Sequence, residues 1–409
     1  MAFHTPGFRW LWANTVFDSI YRTVDIIAQG WLVLTLTDSP FWVGAAASIR
    51  GISILLVSPF AGVIADRLDR RKLLILLQLS MSSIAFFIAY LVITWRIEVW
   101  HIMVLSFLYG GALALIMTVR WTLTMDLVGK RALLNANSAN FMAFSSMQVI
   151  SPVVGGLIIT IFGIWAVYLL MGSALMMATL VTLPIPTIPV RKKLEGSPWR
   201  NLREGVYHVL FNPILRPLFF MAVVVGFFAY SHNYMLPVMA RDVLKVGATG
   251  LGIMASVGGV GSLITIFLIA NLGDVRNKGR LMVLGSAGYG FFLVLFGVSP
   301  WFSVSLFLIV AVKASSILYD SMMMTLLQIS APDEMRGRVM SFYALTFGMA
   351  PLGALQGGAI AVFLGAPMAI VMGGVLVCLN ALRITRLMPR FRQKEEEARL
   401  EDSLKYTNA

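Results

Sequence analysis

The sequence predicts an all-α membrane protein with twelve transmembrane helices, arranged as two pseudo-symmetric six-helix bundles around a central cavity. Three observations carry this. Hydrophobic residues make up 58% of 409 residues and charged ones only 12%, with a mean hydropathy of +0.83, too little polar surface for a water-facing globule. Twelve apolar stretches recur, each near the roughly 20 residues a helix needs to cross a hydrocarbon core of about 30 Å. The basic residues gather on alternate connections, as they do when those connections face the cytoplasm.

The stretches centre on residues 10–36, 42–65, 73–95, 99–125, 136–162, 165–184, 217–240, 249–272, 281–299, 302–328, 337–364 and 366–388. Turn signals punctuate them at Asp38-Ser39-Pro40, Ser299-Pro300 and Gly365-Ala366-Pro367. The expected domains are an N-terminal bundle over 1–188, a cytoplasmic linker over 189–216, a C-terminal bundle over 217–388 and a cytoplasmic tail over 389–409. The linker holds Arg191, Lys192, Lys193, Arg200 and Arg203, with Trp199, Leu202, Val206, Val209 and Leu210 at helical spacing. It reads as a basic amphipathic helix lying on the membrane surface. No cleavable leader is expected, because the first apolar stretch carries Asp18, Arg22 and Asp25.

With both termini cytoplasmic, 25 of the 32 Lys and Arg fall on the cytoplasmic side; Arg96, Arg241 and Lys245 fall opposite, and Arg22, Arg50, Arg120 and Lys313 lie inside spans. The net charge of +13 therefore reads as topology in a bacterial-type inner membrane, and no nucleic-acid partner is expected. One cysteine, Cys378, excludes a disulfide framework, and the four histidines lack ligand spacing, so neither a metal nor a cofactor is expected. No Walker-type phosphate loop, zinc-protease helix or nucleophile elbow occurs. The chain reads as a non-enzyme that does not use ATP directly.

Internal similarity appears at an offset of a little over two hundred residues. The run from Ala65-Asp66 to Lys72-Leu73 faces that from Gly273-Asp274 to Arg280-Leu281, and Pro152 with Gly155-Gly156 resembles Pro351 with Gly357-Gly358. Six spans per half place both copies in one orientation, the parallel-repeat arrangement of a substrate path between two rocking bundles.

The most specific string runs from Gly62 through Asp66, Arg67, Arg70 and Arg71 to Lys72. It resembles the signature loop of the major facilitator superfamily. Glycine there allows close helix approach, and Asp66 can meet the positive N-terminal end of another helix near Arg336 and Gly337, latching the cytoplasmic side. The second copy, with Gly273 and Asp274, is degenerate. Phe8-Arg9-Trp10-Leu11-Trp12, Leu36 to Pro40, Asp126-Leu127-Val128 with Asn135-Ala136, and Pro332 to Glu334 with Arg336 to Ser341 are similar to the drug-exporter branch that holds enterobactin exporters and macrolide efflux proteins. Helix five's Pro152, Gly155 and Gly156 resemble the antiporter motif of that branch, departing from it at Met147 and Ser151. The resemblance implies proton-driven export of bulky, partly hydrophobic compounds, and with it multidrug efflux.

The intramembrane charges are the candidate site. Asp18, Arg22, Asp25 and Gln29 follow at steps of four, three and four and share one helix face. A carboxylate at that depth costs several kcal/mol unless paired or wet, so the face should line the cavity. Counted at about 1.5 Å per residue, Asp25 and Arg50 reach depths of about 22 Å and about 21 Å, which permits an ion pair. Asp18 can pair with Arg22 within the helix, leaving one carboxylate to exchange protons; a fully compensated structural network is the alternative. Arg120 and Asp126 read together as a cytoplasmic-side network. Lys313 and Asp320 on helix ten read either as a mutually neutralising pair or as a facing substrate site. Tyr230, Tyr234, Met235, Tyr319, Met322 and Met323 are candidate cavity wall.

These readings lead to an alternating-access exporter of hydrophobic or amphipathic small molecules such as drugs, macrolides or siderophores. It is expected to work as a monomer with protons and membrane lipid as its other partners. A lipid or siderophore carrier without proton coupling and a non-transporting sensor or assembly partner are the alternatives.

Overall fold

A computed structural model describes residues 2–187, 207, 209–272, 277–331, 339 and 348–385. Among them, ten helices are long and apolar enough to cross a membrane. The first helix, of 32 residues, stands outside that group because its polar face lowers its apolarity, and the last is broken at Gly365 (φ 83, ψ 156). Twelve spans result. They are α1 (Pro6–Thr37), α2 (Pro40–Arg67), α3 (Arg70–Ile93), α4 (Val99–Gly129), α5 (Asn135–Phe162) and α6 (Ile164–Thr182). The second bundle holds α7 (Leu215–Val243), α8 (Gly247–Leu272), α9 (Lys278–Val298), α10 (Phe302–Ser330), α11 (349–364) and α12 (366–385). Of the expected linker, residues 189–206 and 208 lie outside the described residues, as does the tail.

Local chemistry sets the breaks. Asp38 takes a left-handed conformation (φ 52) that ends α1, and Pro40 opens α2 at a position where its missing N–H costs nothing. Asp69 caps α3 by accepting the Lys72 N–H at 3.1 Å. Gly129 (φ 66, ψ 177) divides α4 from α5, a conformation that a side chain would strain. Side chains such as Phe267, Phe307 and Phe363 are 70%, 71% and 84% exposed, which suits a lipid-facing surface.

Within α7 two π turns, Val225–Ala229 and Met239–Val243, interrupt the α-helical ladder. The apolar run over 217–240 reads as one uniform helix, and nothing in its periodicity marks these turns. Such turns insert a residue and re-aim the face that follows them.

The bundles meet along two seams, α2 against α11 and α5 against α8. On the first, the Gly44 backbone lies against the Ala354 carbonyl, Gly358 against Pro40, and Ser48 Oγ donates to the Pro351 carbonyl at 2.6 Å. On the second, Gly156 lies against the Ala248 carbonyl and Gly252 against the Pro152 carbonyl, while the Val153 N–H donates to Ser256 Oγ at 3.1 Å. Small residues let backbones touch where lipid gives no hydrophobic drive for association. The repeated proline-glycine motifs of α5 and α11 thus occupy equivalent seams. These contacts run from mid-membrane toward the end carrying Asp38, Gly163 and Lys245, where Arg241 bridges to Asp38 and to the Leu34 carbonyl.

Candidate functional site

Asp18, Arg22, Asp25 and Gln29 share the inner face of α1, and the face begins one turn earlier at Asn14. Asp25 Oδ2 stands 2.6 Å from Arg50 Nη1 of α2, with both side chains under one-tenth exposed. The oxygen has no aligned hydrogen bond, because Arg50 turns its second amino group to Gln29 Oε1. Gln29 in turn donates to Ser106 of α4. The guanidinium lies over the Tyr109 ring at 4.5 Å from its centroid, a cation–π contact that strengthens where water is excluded.

Asp18 makes the expected ion pair with Arg22 only loosely, and its closer partner comes from α4. Its oxygen accepts from Arg120 Nη1 at 2.7 Å, and Arg22 stands off at 4.0 Å because its guanidinium lies over Phe144 of α5, 5.2 Å from the ring centroid. Neither Asp18 nor Asp25 is left without a cation, so the expectation of one free carboxylate fails in this conformation. Arg120 also donates to Asn14 Oδ1 at 3.2 Å. Asn14 Nδ2 lies 3.0 Å from Gln78 Oε1, 2.9 Å from the Ala178 carbonyl and 2.7 Å from Thr182 Oγ1 and shares its two protons among them, which with Arg120 ties α1 to α3, α4 and α6.

Arg120 and Asp126 do not form one network. Six residues advance about 240° around a helix, so the two point to different faces, and Asp126 pairs with Arg70 of the signature loop. Arg70 also donates to the Ala65 carbonyl at 3.2 Å, and Arg71 to the Leu183 carbonyl. Arg67 is exposed. Among the described residues nothing lies within 4 Å of where a Gly62 Cβ would stand, so the close helix approach expected there is not found among them. The Asp66 side chain, Gly273, Asp274, Arg336 and Arg338 lie outside the described residues, and so does the expected latch.

Lys313 and Asp320 are not ion-paired either, since seven residues separate them by about 10.5 Å along the axis. Lys313 Nζ donates to Asn233 Oδ1 at 2.6 Å, and Asp320 accepts from the Tyr230 hydroxyl. Both partners come from α7, between its π turns. Of the six aromatic and methionine candidates, Tyr234 faces the cavity, whereas Met235, Tyr319, Met322 and Met323 are buried core.

The cavity between the bundles has a volume of about 230 Å³. Arg22, Arg50, Tyr109, Phe144 and Gln148 face it from the first bundle, and Asn233, Tyr234, Met254 and Lys313 from the second. Pro152 and Pro351, read as bending and packing residues, both reach its wall. Tyr109, Phe144, Gln148 and Asn233 escaped sequence reading, because uncharged polar and aromatic residues in apolar helices give no signal of facing. Asn14 could have been found, being four residues before Asp18 on the same face. Among the described residues no cluster of His, Cys, Asp or Glu could hold a metal ion.

Residues 2–407 match the model of the transmembrane secretion effector family. The chain belongs to this family of major facilitator proteins. Similar curated proteins include the enterobactin exporter of Shigella flexneri, 25% identical over 396 residues, or 93% of this chain and 94% of that one. The enterobactin exporter of Escherichia coli O81 (strain ED1a) is 24% identical over 394 residues, with the same shares covered. A bacterial homolog of the human lysosomal transporter Spinster, in an inward-facing and unoccupied conformation, shares the fold with a TM-score of 0.77 at 14% identity, over 95% of this chain and 97% of that one. A POT family transporter in complex with 5-aminolevulinic acid matches with a TM-score of 0.77 at 12% identity, over 95% and 97% of the two chains. This secretion effector family member is a transporter and not an enzyme.

Proposed function

We propose that this chain exports hydrophobic or amphipathic small molecules from the cytoplasm by alternating access, in exchange for protons. It does so as a monomer in the inner membrane with both termini cytoplasmic. The observation that carries the reading is a cavity walled by both bundles and lined by Arg50, with Asp25 buried 2.6 Å behind that cation. The named activity of the enterobactin exporters supports export as the direction. With the seams packed toward the Asp38 end, the positive-inside count makes the packed end the outer one.

Protonating Asp25 removes the charge that faces Arg50 and frees the guanidinium to seek another partner, which shifts the balance between the two openings. Asp25 is suited to this because its contact with Arg50, at 2.6 Å, is with a cation that lines the cavity. Asp18, held by Arg120 and deeper in protein, is the second candidate.

The test is uptake of neutral and anionic dyes into inside-out proteoliposomes, the export direction, under an imposed proton gradient. Export that collapses with the gradient and is lost in Asp25→Asn supports the reading. Gradient-insensitive flux would turn the assignment to an uncoupled carrier of lipid or siderophore, and full gradient-driven export by Asp25→Asn would remove that residue from the coupling role.

A further inference from the structure

We infer that the cavity selects cargo bearing an anionic group on an aromatic or apolar body, held between Arg22 of one bundle and Lys313 of the other. The inference rests on the exporter reading and narrows its substrate class. Among the described residues three cations, Arg22, Arg50 and Lys313, line the cavity, and no carboxylate does. Arg50 is matched by Asp25 at 2.6 Å. Asp18 is held by Arg120 at 2.7 Å and reaches Arg22 only at 4.0 Å, so two cations share one carboxylate and one positive charge is in excess. Among the described residues Lys313 donates to the neutral Asn233 alone, because Asp320 is turned to Tyr230. The cavity therefore holds two cations without a dedicated counter-charge, one on each side of the moving interface.

The neutral groups are compatible with this. The Tyr109 and Tyr234 hydroxyls and the Gln148 amide line the cavity and make no hydrogen bond to the described residues. Each of them can donate to an anion, and the donor-only Arg22 and Lys313 tip the balance of the wall toward donors. Phe144, Met254, Ile309 and Leu236 complete the wall with apolar surface for the body of the ligand. A cation at membrane depth is costly without a partner, so an anion bridging Arg22 and Lys313 relieves that cost on both bundles at once and draws them together around it. A cationic compound of the same shape adds a third unmatched charge.

The probes are three fluorescent molecules sharing one aromatic body: dansylglycine as the anion, its methyl ester as the neutral form and dansylcadaverine as the cation. Binding is measured in nanodiscs of uncharged phosphatidylcholine, against empty discs. The anion is expected to bind about tenfold tighter than the ester and the cation weakest, a difference that corresponds to about 1.4 kcal/mol. Arg22→Gln and Lys313→Gln should each erase the anion's advantage while leaving the ester's affinity within about twofold, and Lys313→Arg should restore it. Retained ester binding also reports that the variants are folded. Equal or tighter binding of the cation, binding of none of the three, or an anion preference that survives both glutamine variants overturns the inference. Selective anion binding with no transport in sealed vesicles leaves it standing and overturns the exporter reading instead.

Discussion

Asp25 and Arg50 meet at 2.6 Å across the α1–α2 interface, 6% and 7% exposed, with Arg50 also over the Tyr109 ring. Removing one member of such a buried pair strands the other charge at a cost of about 3–5 kcal/mol, whereas removing both is far milder. Asp25→Asn should therefore lower the thermal midpoint in detergent, and the double variant Asp25→Asn with Arg50→Gln should recover most of it. Gradient-driven export should be absent from both. Recovery of export along with stability in the double variant would assign the pair a structural role only.

Asn14 sits where α1, α3, α4 and α6 converge, sharing its two amide protons among Gln78, the Ala178 carbonyl and Thr182 while accepting from Arg120. Asn14→Leu leaves Gln78 and Arg120 each short of a buried partner, at about 1–3 kcal/mol per group. The protein should lose several degrees in a thermal melt in detergent, with cargo affinity unchanged, since Asn14 does not line the cavity.

Gly252 lies with its Cα against the Pro152 carbonyl, so any side chain there must part α5 from α8. Gly252→Val should open the seam and favour the conformation open at the Asp38 end. Labelling of Thr249→Cys by a membrane-impermeant maleimide, in a background with Cys378 replaced by Ser, should become faster. Unchanged labelling would mean that the seam does not limit opening.

Arg241 bridges Asp38 and caps the Leu34 carbonyl at the same end, with Asp38 85% exposed. An exposed pair contributes up to about 1 kcal/mol and is screened by salt. Asp38→Asn should thus shift the two openings by at most about fivefold at low salt, less than Gly252→Val, and raising salt should reproduce the shift in the unmutated protein.

The helices were legible because lipid demands long apolar runs, and the residues that end them, Asp38, Pro40, Gly163 and Gly365, act through local conformation that a sequence displays. Depth was legible too. Helix rise alone puts Asp25 level with Arg50. Partner choice was less so. Asp18 lies four residues from Arg22, yet Phe144 draws Arg22 aside and Arg120 enters from a helix whose rotation a single sequence does not fix. Lys313 and Asp320 look like a pair on a helical wheel, but two turns of rise separate them, and each finds an uncharged partner on α7.

The π turns of α7 set which residues that helix shows to the cargo. Tyr230, Asn233 and Tyr234 lie between them, so the segment behaves as a cylinder indexed at both ends. Relaxation of Val225–Ala229 into regular α-helix would turn it by about 100°, carrying Asn233 off Lys313 and Tyr230 off Asp320. A one-residue deletion there would redial the specificity of the cavity without altering any residue that lines it.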